Sequence, residues 1–145
     1  MKISTKGRYA VRLMYDLAVH HTGDWVALKD VSRRQGISVK YLEQIVRQLS
    51  ICGYLKSLRG PHGGYQLAKE PADYTIYEIL QITEESLQPV ACLDDEINQC
   101  GRYHECPTIG IWEGLGQVIR EYLSQITLED IVERAKEKGG NDFVI

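Results

Sequence analysis

Apolar residues recur at helical spacing in the first segment of the chain: Tyr9, Ala10, Leu13, Met14, Leu17 and Ala18. Arg8 and Arg12 fall on a different face. The pattern predicts a helix that ends near Gly23. A second, short helix is expected from about Leu28 to Gln35, with Leu28 and Val31 inward and Lys29, Arg33 and Arg34 outward. Gly36 breaks it, and Ser38 is placed to cap a third helix, about Val39 to Cys52. Leu42, Ile45, Val46 and Leu49 form the buried stripe of that helix, and Cys52 is expected as a buried core thiol. Two alternating segments follow, Tyr54 to Arg59 and Tyr65 to Ala68, around Gly60-Pro61-His62-Gly63-Gly64. They predict a hairpin.

Periodicity returns after residue 70. Thr75-Ile76-Tyr77-Glu78 reads as a capping box that starts a helix running to about Glu85. From Ser86 to Pro107 no period is sustained, which is unusual in a small domain unless something orders the segment. Ile111, Trp112, Leu115, Val118, Ile119, Tyr122, Leu123 and Ile126 then form a stripe at three–four spacing. Such a seam is either core or the contact with a twin helix. Gly110, Gly114 and Gly116 weaken its start by about 1 kcal/mol each relative to Ala. Thr127-Leu128-Glu129-Asp130 opens a last short helix, and Gly139-Gly140 makes a joint to the tail.

Helix, glycine-containing turn, helix and hairpin together predict a winged helix-turn-helix. The fold class is therefore mainly α with a small β-wing, plus a long dimerisation helix. Residues 1–70 form the expected DNA-binding domain, 71–107 a connecting helix and cysteine-containing loop, 108–138 the dimerisation helix and terminal short helix, and 139–145 a flexible tail. The second helix of a helix-turn-helix enters the major groove by its N-terminal end. Off its apolar stripe it carries Lys40, Tyr41, Glu43, Gln44 and Arg47. Gln44 can pair with adenine through two hydrogen bonds. Glu43 accepts only from cytosine N4 and repels misplaced phosphate, so it acts on selectivity; an exposed acid is otherwise simply solvated. Arg59, beside Gly60 and Pro61 at the wing tip, suits the narrow, negative minor groove. A phosphate-loop reading of the glycines fails, because no Gly-Lys-Ser/Thr follows.

Charge strengthens the nucleic-acid reading. The 145 residues carry a net charge of −3, which by itself argues against a polyanion partner. Residues 1–69, however, hold 12 Lys and Arg against 4 Asp and Glu, a balance of +8. Residues 70–145 hold 5 against 16, a balance of −11. A basic front half and an acidic rear half suit a DNA-binding module followed by a regulatory or pairing module. Hydrophobic content of 43% is ordinary for a globular protein, and no apolar run is long enough to span a bilayer. The expected location is cytoplasmic. With no nucleophile–base pair and no nucleotide motif, an enzyme or electron carrier is disfavoured.

Cys92, Cys100 and Cys106 lie within fifteen residues of the irregular segment. In a reducing compartment such a group holds a metal or an iron–sulfur cluster more often than disulfides. Its spacing lacks the Cys-x-x-Cys knuckle of ordinary zinc sites. Three readings stand: an iron–sulfur cluster, zinc held with His104, and direct thiol redox sensing.

Several segments resemble the Rrf-type winged-helix bacterial regulators, the family of IscR, NsrR and CymR. They are Met1 to Ala10, Gln35-Gly36-Ile37-Ser38, Tyr41-Leu42-Glu43-Gln44, Arg59 to Tyr65 and Thr127-Leu128-Glu129. The resemblance spans nearly the whole chain. It implies a homodimeric repressor of palindromic operators, with Ser38, Tyr41, Glu43, Gln44, Arg59 and Gly60 at DNA-contact positions. It further implies that Cys92, Cys100 and Cys106 hold an iron–sulfur cluster, 2Fe–2S in preference to 4Fe–4S, governing cluster assembly or sulfur metabolism. IscR-like members take a fourth ligand from a His where this chain has Ile109. NsrR-like members borrow an acid where it has Arg8. The fourth ligand is left open among His104, Asp94, Asp95, Glu96, Glu105, a small thiol and water. The ending Phe143-Val144-Ile145 resembles CymR-like and serine acetyltransferase tails, which implies cysteine synthase as a partner and a cysteine-metabolism repressor as the alternative function.

Overall fold

The computed structural model describes residues 2–142; Phe143, Val144 and Ile145 lie outside the described residues. Among the described residues six α-helices and one two-stranded antiparallel sheet follow the order α1 (Thr5–Val19), α2 (Leu28–Gln35), α3 (Val39–Ile51), β1 (Leu55–Leu58), β2 (Gly64–Leu67), α4 (Ile76–Thr83), α5 (Ile109–Ser124), α6 (Leu128–Asp142). The expected class, a mainly α winged helix, is the observed one.

Local chemistry accounts for the boundaries. The Ser4 hydroxyl accepts from the Gly7 amide and caps α1. Gly36 takes φ 66° at the end of α2, a left-handed turn that glycine enters without strain. The Ser38 hydroxyl accepts from the Tyr41 amide at 3.2 Å and starts α3 two residues later. Thr75 and Glu78 form the expected reciprocal capping box on α4. Thr127 and Asp130 repeat the device at α6: the Thr127 hydroxyl accepts from the Asp130 amide, and the Asp130 carboxylate accepts from the Thr127 amide at 2.9 Å.

One core unites these elements. Leu13, Met14 and Leu17 of α1 meet Val31 of α2, Leu42, Ile45 and Leu49 of α3 and Ile79 of α4, all 2% exposed or less. Leu128 of α6 joins them at 0%. It arrives by a short clip in which Ile76 N donates to Ile126 O and Leu128 N donates to Tyr74 O. The chain thus leaves the core after α4 and re-enters beside the start of that helix. Between those points α5 contributes no buried residue.

Two polar anchors brace the core, and neither was foreseen. Asp16 is 2% exposed, and its carboxylate accepts two hydrogen bonds from Arg34, at 2.7 and 3.0 Å, and one from Gln35 at 3.1 Å. Arg34 therefore turns back onto α1 and does not point outward as expected. Tyr74 is fully buried at the root of the wing. Its hydroxyl donates to Tyr54 O at 2.7 Å and accepts from the amides of Ala68 and Lys69. Burial pushes its phenol above the ordinary value.

Three further expectations are corrected. Cys52 is exposed, not a core thiol. It is the capping residue of α3, and the chain turns away at Gly53, φ 76°, before the next buried position of the stripe is reached. The terminal helix is not short: α6 runs 15 residues and passes through Gly139 and Gly140, where a joint was expected. Helix α1 stops at Val19, ahead of Gly23.

The buried anchor makes a measurable prediction. Burial raises the Asp16 carboxyl, but the hydrogen bonds from Arg34 and Gln35 and the charges of Arg34 and His20 outweigh it and hold the group below its ordinary value. A carboxylate with a lowered folded pKa stabilises fully above its unfolded value and loses that stabilisation as pH falls through the folded one. Asp16→Asn is expected to cost about 2–3 kcal/mol in urea unfolding at pH 7, the low end for a broken pair because Arg34 keeps access to water. The gap between wild type and variant should close below about pH 4.

Candidate nucleic-acid interface and cysteine loop

Helix α3 sorts its side chains cleanly. Leu42, Ile45, Val46 and Leu49 are buried, while Lys40, Glu43, Gln44 and Arg47 are exposed. Tyr41 is half-buried between the two groups. The exposed set begins in the first turn, next to the Ser38 cap, so this face presents the N-terminal end of the helix. Glu43 and Gln44 are adjacent on it, as a base-reading role requires.

The wing stands beside this helix. Leu55 pairs with Leu67 and Leu58 with Gly64, which leaves Arg59, Gly60 and Pro61 exposed in the connecting turn. A further antiparallel bridge joins Tyr65 to Val26, with N···O distances of 2.8 and 3.0 Å. This docks the wing on the segment before α2. The bridge passes so close to Gly64 that a Cβ there would stand 2.2 Å from Val26 O, which explains the glycine. Lys69 lies over the rings of Tyr74 and Tyr54 at 4.9 and 5.3 Å, where the wing rejoins the core.

The cysteine loop occupies residues 86–107, with short 3-10 turns at Ala91–Leu93 and Tyr103–Glu105. Its three cysteines are free thiols. Cys92 and Cys100 are exposed and Cys106 is half-exposed. The Cys106 thiol is held below its ordinary value by the Thr108 hydroxyl, 3.5 Å away, and by the backbone amides of Thr108 and Ile109. That is the environment of a helix N-terminus, since α5 starts at Ile109. Among the described residues no three His, Cys, Asp or Glu side chains converge into a group that could hold a metal ion. The sequence triplet is thus on one loop but not gathered. Its donor chemistry, three soft unpaired thiols on a chain segment with little regular structure, fits an iron–sulfur cluster or zinc once the loop closes. Among the candidate fourth ligands, the His104 ring packs edge-on against Tyr103, and the Asp94 carboxylate accepts from Ser86 Oγ at 2.6 Å. Arg8 is engaged with Thr5 on α1.

The loop packs on one side of α5. Gln88 and Pro89 lie against Gly116, and Tyr103 donates to Glu113 at 3.0 Å. A groove of about 900 Å³ runs between the loop and this face, lined by Asp94, Asp95, Glu96, Glu113 and Arg120 among others. Arg120 also donates to Tyr77 on α4 and lies 5.8 Å from that ring. Among the described residues nothing covers the opposite side of α5. Ile111, Leu115, Val118 and Tyr122, spaced four, three and four residues apart, are 60, 43, 59 and 58% exposed. Sequence periodicity found this stripe, but only the structure shows that the core does not cover it.

Residues that sequence reasoning missed are Asp16, Tyr74 and Glu84. Glu84 accepts from Ser4 N and from Ser4 Oγ, at 3.1 and 2.7 Å, tying the end of α4 to the cap of α1 immediately before the loop begins. A buried acid on an otherwise apolar helix face was the one legible signal, at Asp16. No helix of the described residues is long and apolar enough to cross a membrane.

Residues 3–134 match the family described as Rrf2, an iron-dependent transcriptional regulator. The chain is 40% identical over 135 residues to Protein rrf2 of Nitratidesulfovibrio vulgaris, covering 93% of this chain and 89% of that one. The solved structure of T. potens IscR superposes with a TM-score of 0.77 at 37% identity, covering 95% of this chain and 90% of that one. That of CymR (YrzC), the global cysteine regulator of B. subtilis, superposes at 0.76 with 33% identity, covering 92% and 98%.

Proposed function

Because the chain belongs to the Rrf2 family of DNA-binding transcriptional regulators, we propose that it is a cytoplasmic, homodimeric repressor whose operator affinity follows the state of its cysteine loop. One observation carries the reading furthest. Helix α5 offers a bare apolar seam on one side and holds the cysteine loop on the other. The helix that pairs two copies is then the helix that the loop can move.

In this reading α3 lies in the major groove. Lys40 and Arg47 meet phosphates, Gln44 and Glu43 face base edges, and the Ser38 hydroxyl and Tyr41 sit where the backbone approaches. Arg59, beside Gly60 and Pro61, reaches the minor groove. Pairing along Ile111, Leu115, Val118 and Tyr122 gives a two-fold arrangement and a palindromic site. Cys92, Cys100 and Cys106 hold an iron–sulfur cluster, 2Fe–2S in preference to 4Fe–4S, with the fourth ligand drawn from His104, the nearby carboxylates, a small thiol or water. When bound, the cluster supplies a redox- and oxygen-sensitive cross-link among the thiolates. With a cluster bound the three cysteines would be held together, and the loop that packs on α5 at Gly116 and Glu113 would bear on the helix whose seam sets the spacing of the two α3 helices. Support for this comes from three free thiols on the one loop that packs on α5 and from the likeness to T. potens IscR.

The dimer is tested by Val118→Glu, which places a charge in the seam. Sedimentation should show a monomer. Affinity for a duplex selected by the wild-type protein from a random-sequence pool should fall on the order of a hundred-fold, because two half-sites no longer bind as a unit. A dimeric variant would refute the seam.

The cluster is tested by anaerobic reconstitution with iron and sulfide. About two of each per chain are expected, with loss of both in Cys92→Ser, Cys100→Ser and Cys106→Ser. Zinc retained without sulfide would replace the cluster reading with a zinc site, and selected-duplex affinity that ignores cluster loss would end the sensing role.

A second reading is favoured by the likeness to CymR of B. subtilis, described as a global cysteine regulator. In it the chain works with cysteine synthase through Phe143, Val144 and Ile145. Co-purification with cysteine synthase should depend on those three residues; no complex with the intact chain would remove it.

A further inference from the structure

Tyr41 differs from its neighbours on the exposed face of α3. Lys40, Glu43, Gln44 and Arg47 stand in solvent, whereas Tyr41 is half-buried and packs against the core. Its ring meets that of Tyr9, on α1, edge to face, with centroids 5.5 Å apart and planes at 74°. The Arg12 guanidinium covers Tyr9 at 5.1 Å from the ring centre. Arg12 is itself held, donating to the backbone carbonyl of Gln35 and to Gln35 Oε1. Gln35 in turn donates to the buried Asp16. Three side chains of α1 therefore join the last residue of α2 to the first turn of α3. The Tyr41 backbone is pinned at the same time by the Ser38 cap.

We propose that Tyr9, stacked beneath Arg12, is a positioning residue for DNA recognition: it holds the Tyr41 ring in its DNA-facing orientation before DNA arrives. This rests on the reading of Tyr41 as a DNA contact. A tyrosine side chain that is free in the unbound protein must be immobilised on binding, which lowers affinity by about two- to twelve-fold. An edge-to-face partner removes that loss in advance, and the cation above Tyr9 helps to hold that ring in place. The effect is one of order and not of charge. Tyr9 neutralises no phosphate, so the dependence of affinity on salt is untouched.

The test uses the full chain and a duplex selected by the wild-type protein from a random-sequence pool, titrated over a salt series, with thermal unfolding in parallel. Tyr9→Leu should weaken binding by about two- to twelve-fold at unchanged salt slope, and Tyr9→Phe, which keeps the ring, should restore it. In a Tyr41→Leu background, Tyr9→Leu should add nothing. An additive loss in that background overturns the inference. So does unchanged binding by Tyr9→Leu when Tyr41→Leu is weak. Tyr41→Leu that binds as wild type overturns the DNA-contact reading itself, and is thereby told apart. Should Tyr9→Leu not fold, Arg12→Gln serves: a smaller loss at constant slope supports the brace. Unchanged affinity, or a slope reduced by about one and so marking Arg12 as a phosphate ligand, defeats it.

Discussion

A carboxylate with almost no access to water must be met by donors, and Asp16 meets that demand only when α1 and the last turn of α2 stand in one arrangement. Arg34 supplies a two-pronged contact and Gln35 the third hydrogen bond. Sliding α2 by one residue would strand a charge. Such a pair gains little over an apolar filling, yet losing one partner is costly. Its structural value is register: Leu and Val side chains tolerate several packings, and this carboxylate tolerates one. Since Gln35 is followed by the left-handed Gly36 and the Ser38 cap, the direction of α3 is inherited from it.

Tyr74 does for the wing what Asp16 does for the helices. Its hydroxyl satisfies one carbonyl and two amides at the hairpin root, while the Val26–Tyr65 bridge holds the middle. The two surfaces that face DNA in the proposed complex thus each rest on a buried polar group: α3 follows α2, which Asp16 holds to α1, and the wing is held at its root by Tyr74, just before α4. Packing alone would leave a hairpin of two four-residue strands free to rock.

Local signals in the sequence were legible where a side chain acts on its own neighbourhood. Ser38, Gly36, and the Thr75–Glu78 box announced helix ends and proved to do so. The winged-helix class followed from them. What was hidden depends on partners distant in sequence: Arg34 meets an acid 18 positions away, and Tyr74 a carbonyl 20 positions away. Cys52 fell on the apolar period of α3, but the helix stops there and the period stops with it. Gly139 and Gly140 looked like a joint; a glycine disfavours a helix by only about 1 kcal/mol, and α6 had already run eleven residues before meeting them. At the candidate site, the identity of the three cysteines was plain, whereas their separation in the loop was not, because spacing along an irregular chain carries no geometry.

The clip between Thr75 and Thr127 has an evolutionary corollary. The loop and α5 lie on one excursion between α4 and Ile126, and the backbone bridge of Thr75 with Thr127 joins the chain after it to the residue just before α4. Changing the length of such an excursion alters closure entropy only logarithmically. In the proposed regulator the cysteine loop and α5 are therefore an exchangeable part: they can be lengthened or shortened while the winged helix keeps the same foundations.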